Sequence, residues 1–123
     1  MPRTVLVVGG SGFVGGHIVN RLAAAARGYI YYVSMAGVTG KGLEQAGSLK
    51  ERIQEVQSLS QVPVFVGFGI KDPDTAQACA RFADGVIVGS ALVTALSECR
   101  TPEQCHAAAV AFLQPIRQAI DLV

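Results

Sequence analysis

The sequence predicts an α/β fold, a single domain over residues 1–123 whose parallel sheet is built from four strand–helix units. Four short apolar segments rich in β-forming residues recur along the chain, at residues 4–9, 29–34, 64–69 and 85–90. A segment with helical character follows each of them, and the apolar segments lack alternating polar positions. Continuous apolar strands separated by helices are typical of parallel sheets that are covered on both faces.

The composition fits a well-buried globular domain. Half of the residues are hydrophobic and 15% are charged, which argues against disorder. Ten Lys and Arg against nine Asp and Glu give a formal charge of +1, and Trp is absent, so we expect no nucleic-acid partner. No apolar run approaches the length of a membrane span, about 20 residues, and no signal peptide is recognisable. We therefore expect a soluble, cytoplasmic protein without a membrane partner.

The cysteines and histidines indicate neither a reactive site nor a metal site. Cys79, Cys99 and Cys105 are odd in number and follow no metal or redox spacing, so we expect three reduced thiols on helices. His17 and His106 fall within predicted helices, where a surface or packed imidazole is the usual role. We accordingly expect no metal and no resident cofactor, beyond adventitious phosphate, sulfate or nucleotide.

Several helix starts can be located from capping residues. Ser48 and Glu51 form a capping box, and Asp72 and Thr101 each stand before a proline, the preferred first helical residue. These residues predict helices that begin directly after positions 48, 72 and 101.

The last two helices carry further signals. Ser90 is expected to cap a short helix that runs to about Glu98. Pro115 is expected to kink or shorten the final helix, because its ring removes an amide and crowds the preceding turn.

Three glycines follow the first predicted strand at the spacing of a dinucleotide-binding loop. Gly9, Gly12 and Gly15 precede a helical segment, so backbone amides could approach a pyrophosphate there. Residues 4–26 resemble the opening of the short-chain dehydrogenase and NAD-dependent epimerase superfamily, which implies NAD(P) or flavin nucleotide binding at these glycines. The acidic ribose anchor of that superfamily is missing, since the second strand ends at Ser34, and no Tyr-x-x-x-Lys pair occurs.

The rest of the chain carries three glycine motifs, GVTG, GFGI and GSA, in that order. With these motifs, residues 27–120 resemble the C-terminal part of the tryptophan synthase alpha subunit family, namely the sixth to eighth strand–helix units of its TIM barrel. The resemblance implies a site that holds the substrate phosphate mainly through backbone amides, with a pocket beside it. The implied phosphate-binding residues are Gly40, Gly67, Gly69, Gly89 and Ser90, and the implied pocket-lining residues are Tyr31 and Phe68.

The catalytic residues of both families are expected to be absent. The reaction that the second resemblance implies, a reversible aldol-type cleavage of indole glycerol phosphate, needs a glutamate and an aspartate from units that would precede residue 27. No remaining pair of carboxylates is placed for general acid–base catalysis. We therefore expect that the chain is not an enzyme. Docking to the synthase beta subunit is not expected either, because much of the contacting surface belongs to the same units.

The two resemblances meet near Ala26 and Arg27 without a linker. Residues 1–26 would form a Rossmann-like unit and residues 27–123 three barrel-derived units, a junction that indicates an engineered chimera. The leading hypothesis is a designed structural protein with no selected catalytic activity that retains at most weak phosphate or nucleotide-phosphate binding. Two alternatives stay open, a nucleotide-binding module and a residual lyase of the tryptophan synthase alpha type.

Two arrangements of the four predicted strands are compatible with right-handed crossovers. A doubly wound sheet of order 2-1-3-4, like a Rossmann or flavodoxin fold, covers both faces and suits a monomer; we favour it because the first strand is wholly apolar. The alternative is half of a TIM barrel, of order 1-2-3-4 with helices on one side. Its bare apolar face would be buried only by self-association, which predicts a homodimer.

Overall fold

A computed structural model describes Val7 and residues 13–33, 43–67 and 69–123 of the chain. These ranges contain five helices and three strands. In chain order they are α1 (Phe13–Ala25), β1 (Ile30–Val33), α2 (Leu43–Leu59), β2 (Val64–Gly67), α3 (Pro73–Ala80), β3 (Gly85–Ile87), α4 (Ser90–Leu96) and α5 (Pro102–Ile120).

The three strands form one parallel sheet in the order β1-β2-β3. Ile30 lies opposite Val64, and Phe65 lies opposite Gly85. The predicted α/β fold with a parallel sheet is therefore confirmed. The doubly wound order 2-1-3-4 is wrong. It would place the first predicted strand between the second and the third, which are β1 and β2 of the structure. These two strands instead hydrogen-bond directly to each other. That first strand, residues 4–9, lies outside the described residues except for Val7.

The strand order follows from the side on which the helices pack. Side chains of α1, α2, α3 and α5 join one buried cluster with the even-numbered residues of the strands. Because parallel crossovers are right-handed, helices on one face carry successive strands in one direction across the sheet. The core of this cluster consists of Ala23, Ile53, Val56, Val64, Val66, Ile70, Ala76, Cys79 and Ile116.

Two of the predicted helix starts are confirmed in atomic detail. The Oδ1 atom of Asp72 accepts a hydrogen bond from the Thr75 amide at 2.8 Å, and the Thr75 hydroxyl accepts one from the Asp72 amide at 3.3 Å. At α5, the Thr101 hydroxyl accepts the Gln104 amide at 3.2 Å, and Gln104 Oε1 accepts the Arg100 amide at 2.9 Å. Amides of the first turn, which have no partner within a helix, are thus bound by side chains.

Two other helix starts differ from the prediction. Helix α2 begins at Leu43 and passes through position 48, so Ser48 is not its cap. The capping signal is local, and it does not reveal that helical residues precede it. Helix α4 has Gly89 as its N-cap and Ser90 as its first residue, and it ends at Leu96, before the predicted Glu98.

The final helix continues past its proline. Pro115 lies inside α5, which runs on to Ile120 and is therefore not shortened. Ile116, the next residue, is buried in the core, and the Gln77 side chain donates to the Ala119 carbonyl at 3.1 Å. These contacts hold the end of α5 against the core and offset the amide that Pro115 lacks.

All three cysteines are free thiols. Cys79 lies in α3 and Cys105 in α5, as predicted, but Cys99 lies in the turn between α4 and α5 rather than on a helix. Burial raises the pKa of the Cys79 thiol, which keeps it protonated within the core.

The cap of α3 makes stability dependent on pH. Hydrogen bonds from the Thr75 amide and then from its hydroxyl lower the pKa of Asp72 below the ordinary value of 3.8. The ionised carboxylate therefore stabilises the fold at pH values above the pKa that Asp72 has in the unfolded chain. This stabilisation is lost as the pH falls through the lower pKa of the folded chain.

Asp72→Ala is expected to lower the free energy of unfolding by about 1 kcal/mol at neutral pH. The difference from the parent chain should shrink once the pH falls below 3.8. Urea unfolding at a series of pH values measures both effects. Asp72→Asn is the control, since it keeps an acceptor oxygen without a titrating proton. A cost for Asp72→Ala that does not change with pH would contradict this account.

Candidate functional site

The carboxyl ends of β2 and β3 bring the predicted phosphate-binding glycines to one edge of the sheet. Gly67, the last residue of β2, pairs with Ile87, the last residue of β3. Because the two strands are parallel, the segments that follow them leave the sheet at the same edge. Gly69 lies in the first of these segments, and Gly89 with Ser90 in the second. Of the predicted phosphate-binding residues, the structure thus brings four to this carboxyl edge.

Glycine is favoured at two of these positions for different reasons. Gly69 has a φ of 76°, in the left-handed region that other residues rarely adopt. At Gly67 a Cβ atom would lie 2.4 Å from both Cε2 and the hydroxyl oxygen of Tyr31, so only glycine lets that ring rest against the strand.

Gly89 is different because its φ does not lie in the left-handed region that favours glycine. Its φ is −115°, and a Cβ atom placed there would meet nothing within 4 Å. No side chain caps the first-turn amides of α4, which begins at the next residue, Ser90. The missing side chain therefore leaves open space beside backbone donors.

Aromatic rings lie over glycines on the sheet face next to this edge. The rings of Tyr29 and Phe65 stack at 5.1 Å between centroids and 23° between planes. A Cβ atom at Gly85 would lie 2.9 Å from the ring of Phe65. Tyr31, a predicted pocket-lining residue, lies on this face. This stack was not predicted from the sequence.

The remaining predicted site residues have different outcomes. Gly15 lies within α1 rather than in a loop before it. The others fall outside the described residues, and they are Gly9, Gly12, Gly40 and Phe68. Nucleotide binding at the first glycine motif therefore stays a prediction.

The charged groups near the carboxyl edge favour binding over proton transfer. Lys71 is exposed two residues after Gly69. The carboxylate of Asp72 is engaged in capping α3 and accepts the hydroxyl of Thr75 at 2.8 Å. Within the described ranges, no three His, Cys, Asp or Glu side chains come together as a metal site would require. Backbone donors and a nearby cation can bind an anion.

Asp84 lies at the opposite, amino end of the sheet. Its Oδ2 atom accepts hydrogen bonds from the Val64 amide at 2.8 Å and from Gln57 Nε2 at 3.1 Å. The Asp84 amide in turn donates to the Val64 carbonyl at 3.0 Å. Asp84 thus links α2, β2 and the start of β3. It lies at the end of the strands opposite the carboxyl edge, so it cannot act there.

The sequence matches the family model described as tryptophan synthase alpha chain over residues 14–121. The chain belongs to this family. The predicted resemblance to part of the tryptophan synthase alpha barrel is confirmed. The match begins ahead of the boundary predicted at Ala26 and Arg27, so it gives no support to a junction there or to a dehydrogenase segment. Short glycine motifs followed by an alanine-rich helix are not specific enough to separate two families.

Curated alpha chains cover most of this sequence. The tryptophan synthase alpha chain of Xylella fastidiosa (strain 9a5c) is 50% identical over 103 residues, which are 84% of this chain and 38% of that protein. The alpha chain of Methylococcus capsulatus is 45% identical over 104 residues, which are 84% of this chain and 39% of that protein. The chain thus spans less than two fifths of the length of these relatives.

Solved structures of the tryptophan synthase alpha family agree with the fold. The crystal structure of the alpha chain from Legionella pneumophila is 38% identical, with a TM-score of 0.66, and the match covers 87% of this chain and 38% of that one. Tryptophan synthase from M. tuberculosis is 30% identical, with a TM-score of 0.65 and coverage of 85% and 35%.

These relatives correct the functional prediction. A designed structural protein with no selected catalytic activity was expected, and this is wrong, because the proteins that match 84% of the sequence are chains of an enzyme. The prediction that the chain is not an enzyme is overturned by the same finding. Among the helices of the described part, none is both long and apolar enough to cross a membrane.

Proposed function

We propose that this chain forms the phosphate-binding part of a tryptophan synthase alpha barrel and takes part in the cleavage of indole glycerol phosphate together with the remaining strand–helix units. The observation that carries the proposal is the carboxyl edge of β2 and β3. There Gly69, Gly89 and Ser90 follow paired parallel strands in a chain whose family match covers residues 14–121.

The chemistry of this edge suits a phosphate dianion. Parallel barrels commonly hold phosphate at the loops after their last two strands, where backbone amides point at the oxygens. Gly89 leaves open space where a side chain would stand, so a phosphate oxygen can approach the amides of Gly89 and Ser90. Lys71 adds positive charge to the loop after β2. Phosphate binding here would need no metal ion.

The aromatic face next to the edge suits the apolar part of the substrate. Tyr31 rests against Gly67 at the end of β2. Tyr29 and Phe65 stack nearer the amino ends of the strands. Planar rings prefer offset or edge-to-face contacts with other rings. We propose that Tyr31 contacts the indole ring while the glycines hold the phosphate.

Phosphate binding can be tested on the chain itself by NMR. Titration with inorganic phosphate and with glycerol 3-phosphate should shift the amide signals of Gly69, Gly89 and Ser90. Gly89→Asp places a carboxylate in the open space, and we expect affinity to fall at least about tenfold, equivalent to about 1.4 kcal/mol. Gln61→Asp adds the same charge at an exposed position in the turn before β2 and should bind phosphate like the parent. Equal binding by parent and Gly89→Asp would refute the site.

Catalytic participation requires the other units of the barrel. Residues 14–121 of this chain can replace the corresponding segment of the Xylella fastidiosa alpha chain, and indole release from indole glycerol phosphate can be followed. The hybrid should release indole, and the hybrid with Gly89→Asp should have a raised KM. A folded hybrid that binds phosphate but releases no indole would contradict the catalytic part of the proposal alone.

A further inference from the structure

The ring of Phe65 is held from two sides on the sheet face that carries Tyr31. On one side it lies over Gly85, its partner in β3, where a Cβ atom would come within 2.9 Å of Phe65 Cδ1. On the other side the ring of Tyr29 stacks on it, with 5.1 Å between the ring centroids. A side chain at position 85 would displace the ring, so the glycine lets Phe65 lie close against the sheet.

Phe65 lies one side-chain layer below the carboxyl edge, toward the amino ends of the strands. Gly67 ends β2 at that edge, and two residues of a parallel strand span about 6.6 Å. Gly67 has no side chain, and the ring of Tyr31 lies against it in the upper layer. Side chains inside a parallel barrel stack in layers, so the first filled layer beneath the edge closes a pocket from below. Phe65 belongs to that layer.

We propose that Phe65 is the floor of the pocket for the indole ring and determines which substituted indoles fit. This inference rests on the proposed function and adds to it a residue that sets specificity. An indole ring that contacts Tyr31 at the carboxyl edge meets Phe65 on its deeper side, in the offset or edge-to-face geometry that aromatic rings prefer. Because Gly85 and Tyr29 confine the Phe65 ring, the floor has little room to move aside for a substituent.

Opposite changes at the floor should have opposite effects on the pocket. Phe65→Val removes most of the ring and deepens the pocket. Gly85→Ala adds the Cβ atom that pushes the Phe65 ring away from the sheet, which makes the pocket shallower. One methylene group in a hydrophobic pocket changes kcat/KM by roughly 10–200-fold. A ring that serves only to pack the sheet would change stability in these variants and leave the choice of substrate as it was.

The hybrid alpha chain that contains residues 14–121 tests the proposal. Its kcat/KM is measured for indole glycerol phosphate and for derivatives methylated at each carbon of the six-membered ring. Relative to the unsubstituted substrate, the Phe65→Val hybrid should favour at least one methylated substrate at least about tenfold more than the parent hybrid does. Gly85→Ala should raise the KM for the unsubstituted substrate. Phe112→Val is the matched control, because it removes the same atoms from α5, where Phe112 packs against the core, and should leave the substrate ratio unchanged.

The outcomes separate this proposal from the proposed function. A parent hybrid that releases indole, with the same substrate ratio in Phe65→Val as in the parent, would overturn the floor and leave the proposed function intact. If Phe65→Val loses its circular dichroism spectrum, Phe65→Leu takes its place with the same expected change in ratio.

NMR on the chain itself gives a readout that needs no catalysis. Titration with indole should shift the ring-proton signals of Phe65 and Tyr29, and the Phe112 signals should stay in place. If the parent hybrid releases no indole, the catalytic part of the proposed function fails and the floor is judged by this titration. Phe65 signals that do not move would then overturn it.

Discussion

Ile53→Ala is expected to lower the free energy of unfolding by about 3 kcal/mol, within the range of roughly 2–5 kcal/mol seen for such truncations. Ile53 lies in α2 and is 0% exposed. It shares the buried cluster with Val64 and Val66 of the central strand β2. Removal of three carbon atoms at this position loses apolar burial and leaves a cavity, because neighbours that belong to a helix and a sheet can move only partly into the space.

Urea unfolding at one fixed protein concentration, followed by circular dichroism, measures this loss. The neighbouring residue provides the control, since Gln54 is exposed on the same helix. Gln54→Ala should change the free energy of unfolding by less than about 0.5 kcal/mol. If Ile53→Ala cost no more than Gln54→Ala, α2 would not pack on the sheet as described.

Asp84→Ala is expected to cost about 2 kcal/mol, although Asp84 itself is exposed. Its carboxylate accepts the amide of Val64, a residue that is 0% exposed, at 2.8 Å. A buried donor that loses its acceptor costs about 1–3 kcal/mol. The variant also loses the bond from Gln57 at 3.1 Å, which links α2 to the loop before β3. The sheet should therefore loosen at the amino ends of its strands.

Two measurements separate this effect from a simple loss of charge. Asp84→Asn keeps an acceptor oxygen and should retain most of the stability that Asp84→Ala loses. Hydrogen exchange at the Val64 amide should accelerate in Asp84→Ala and change little in Asp84→Asn. Equal losses in the two variants would show that the charge of Asp84, rather than its hydrogen bond, matters.

The elements that could be predicted from sequence are those set by local physical chemistry. Asp72 and Thr101 each bind first-turn amides through their own side chains, so a few neighbouring residues suffice to locate α3 and α5. The strands were located for a similar reason, because short apolar segments between helical ones have few other structures open to them. Ser48 marks the limit of such signals, since α2 begins upstream of it.

Strand order could not be predicted because it depends on the side of the sheet where the helices pack. The sheet face away from the core cluster carries Tyr29, Tyr31 and Val33. These residues are as apolar as the even-numbered residues that face the core. A sheet covered on both faces by helices and an arc of a barrel therefore have the same sequence pattern. Only the shared burial of α1, α2, α3 and α5 on one face distinguishes them.

The candidate site was predicted in part through the family resemblance. Gly67, Gly69, Gly89 and Ser90 were identified from motifs, and the structure brings them to one edge. The contact between Tyr31 and Gly67 could not be predicted, because it depends on the register between two strands that are far apart in sequence. The functional prediction was wrong because missing catalytic carboxylates are equally compatible with a protein that has no catalytic role and with part of an enzyme.

The rings that rest on glycines also limit how this sequence can diverge. Phe65 occupies the space that a side chain at Gly85 would need, and Tyr31 does the same at Gly67. Each ring and its glycine therefore share one volume across neighbouring strands. Neither glycine can enlarge unless its ring shifts or becomes smaller, so accepted exchanges at these positions should occur in pairs. Homologues with larger residues at 67 or 85 are expected to carry smaller ones at 31 or 65.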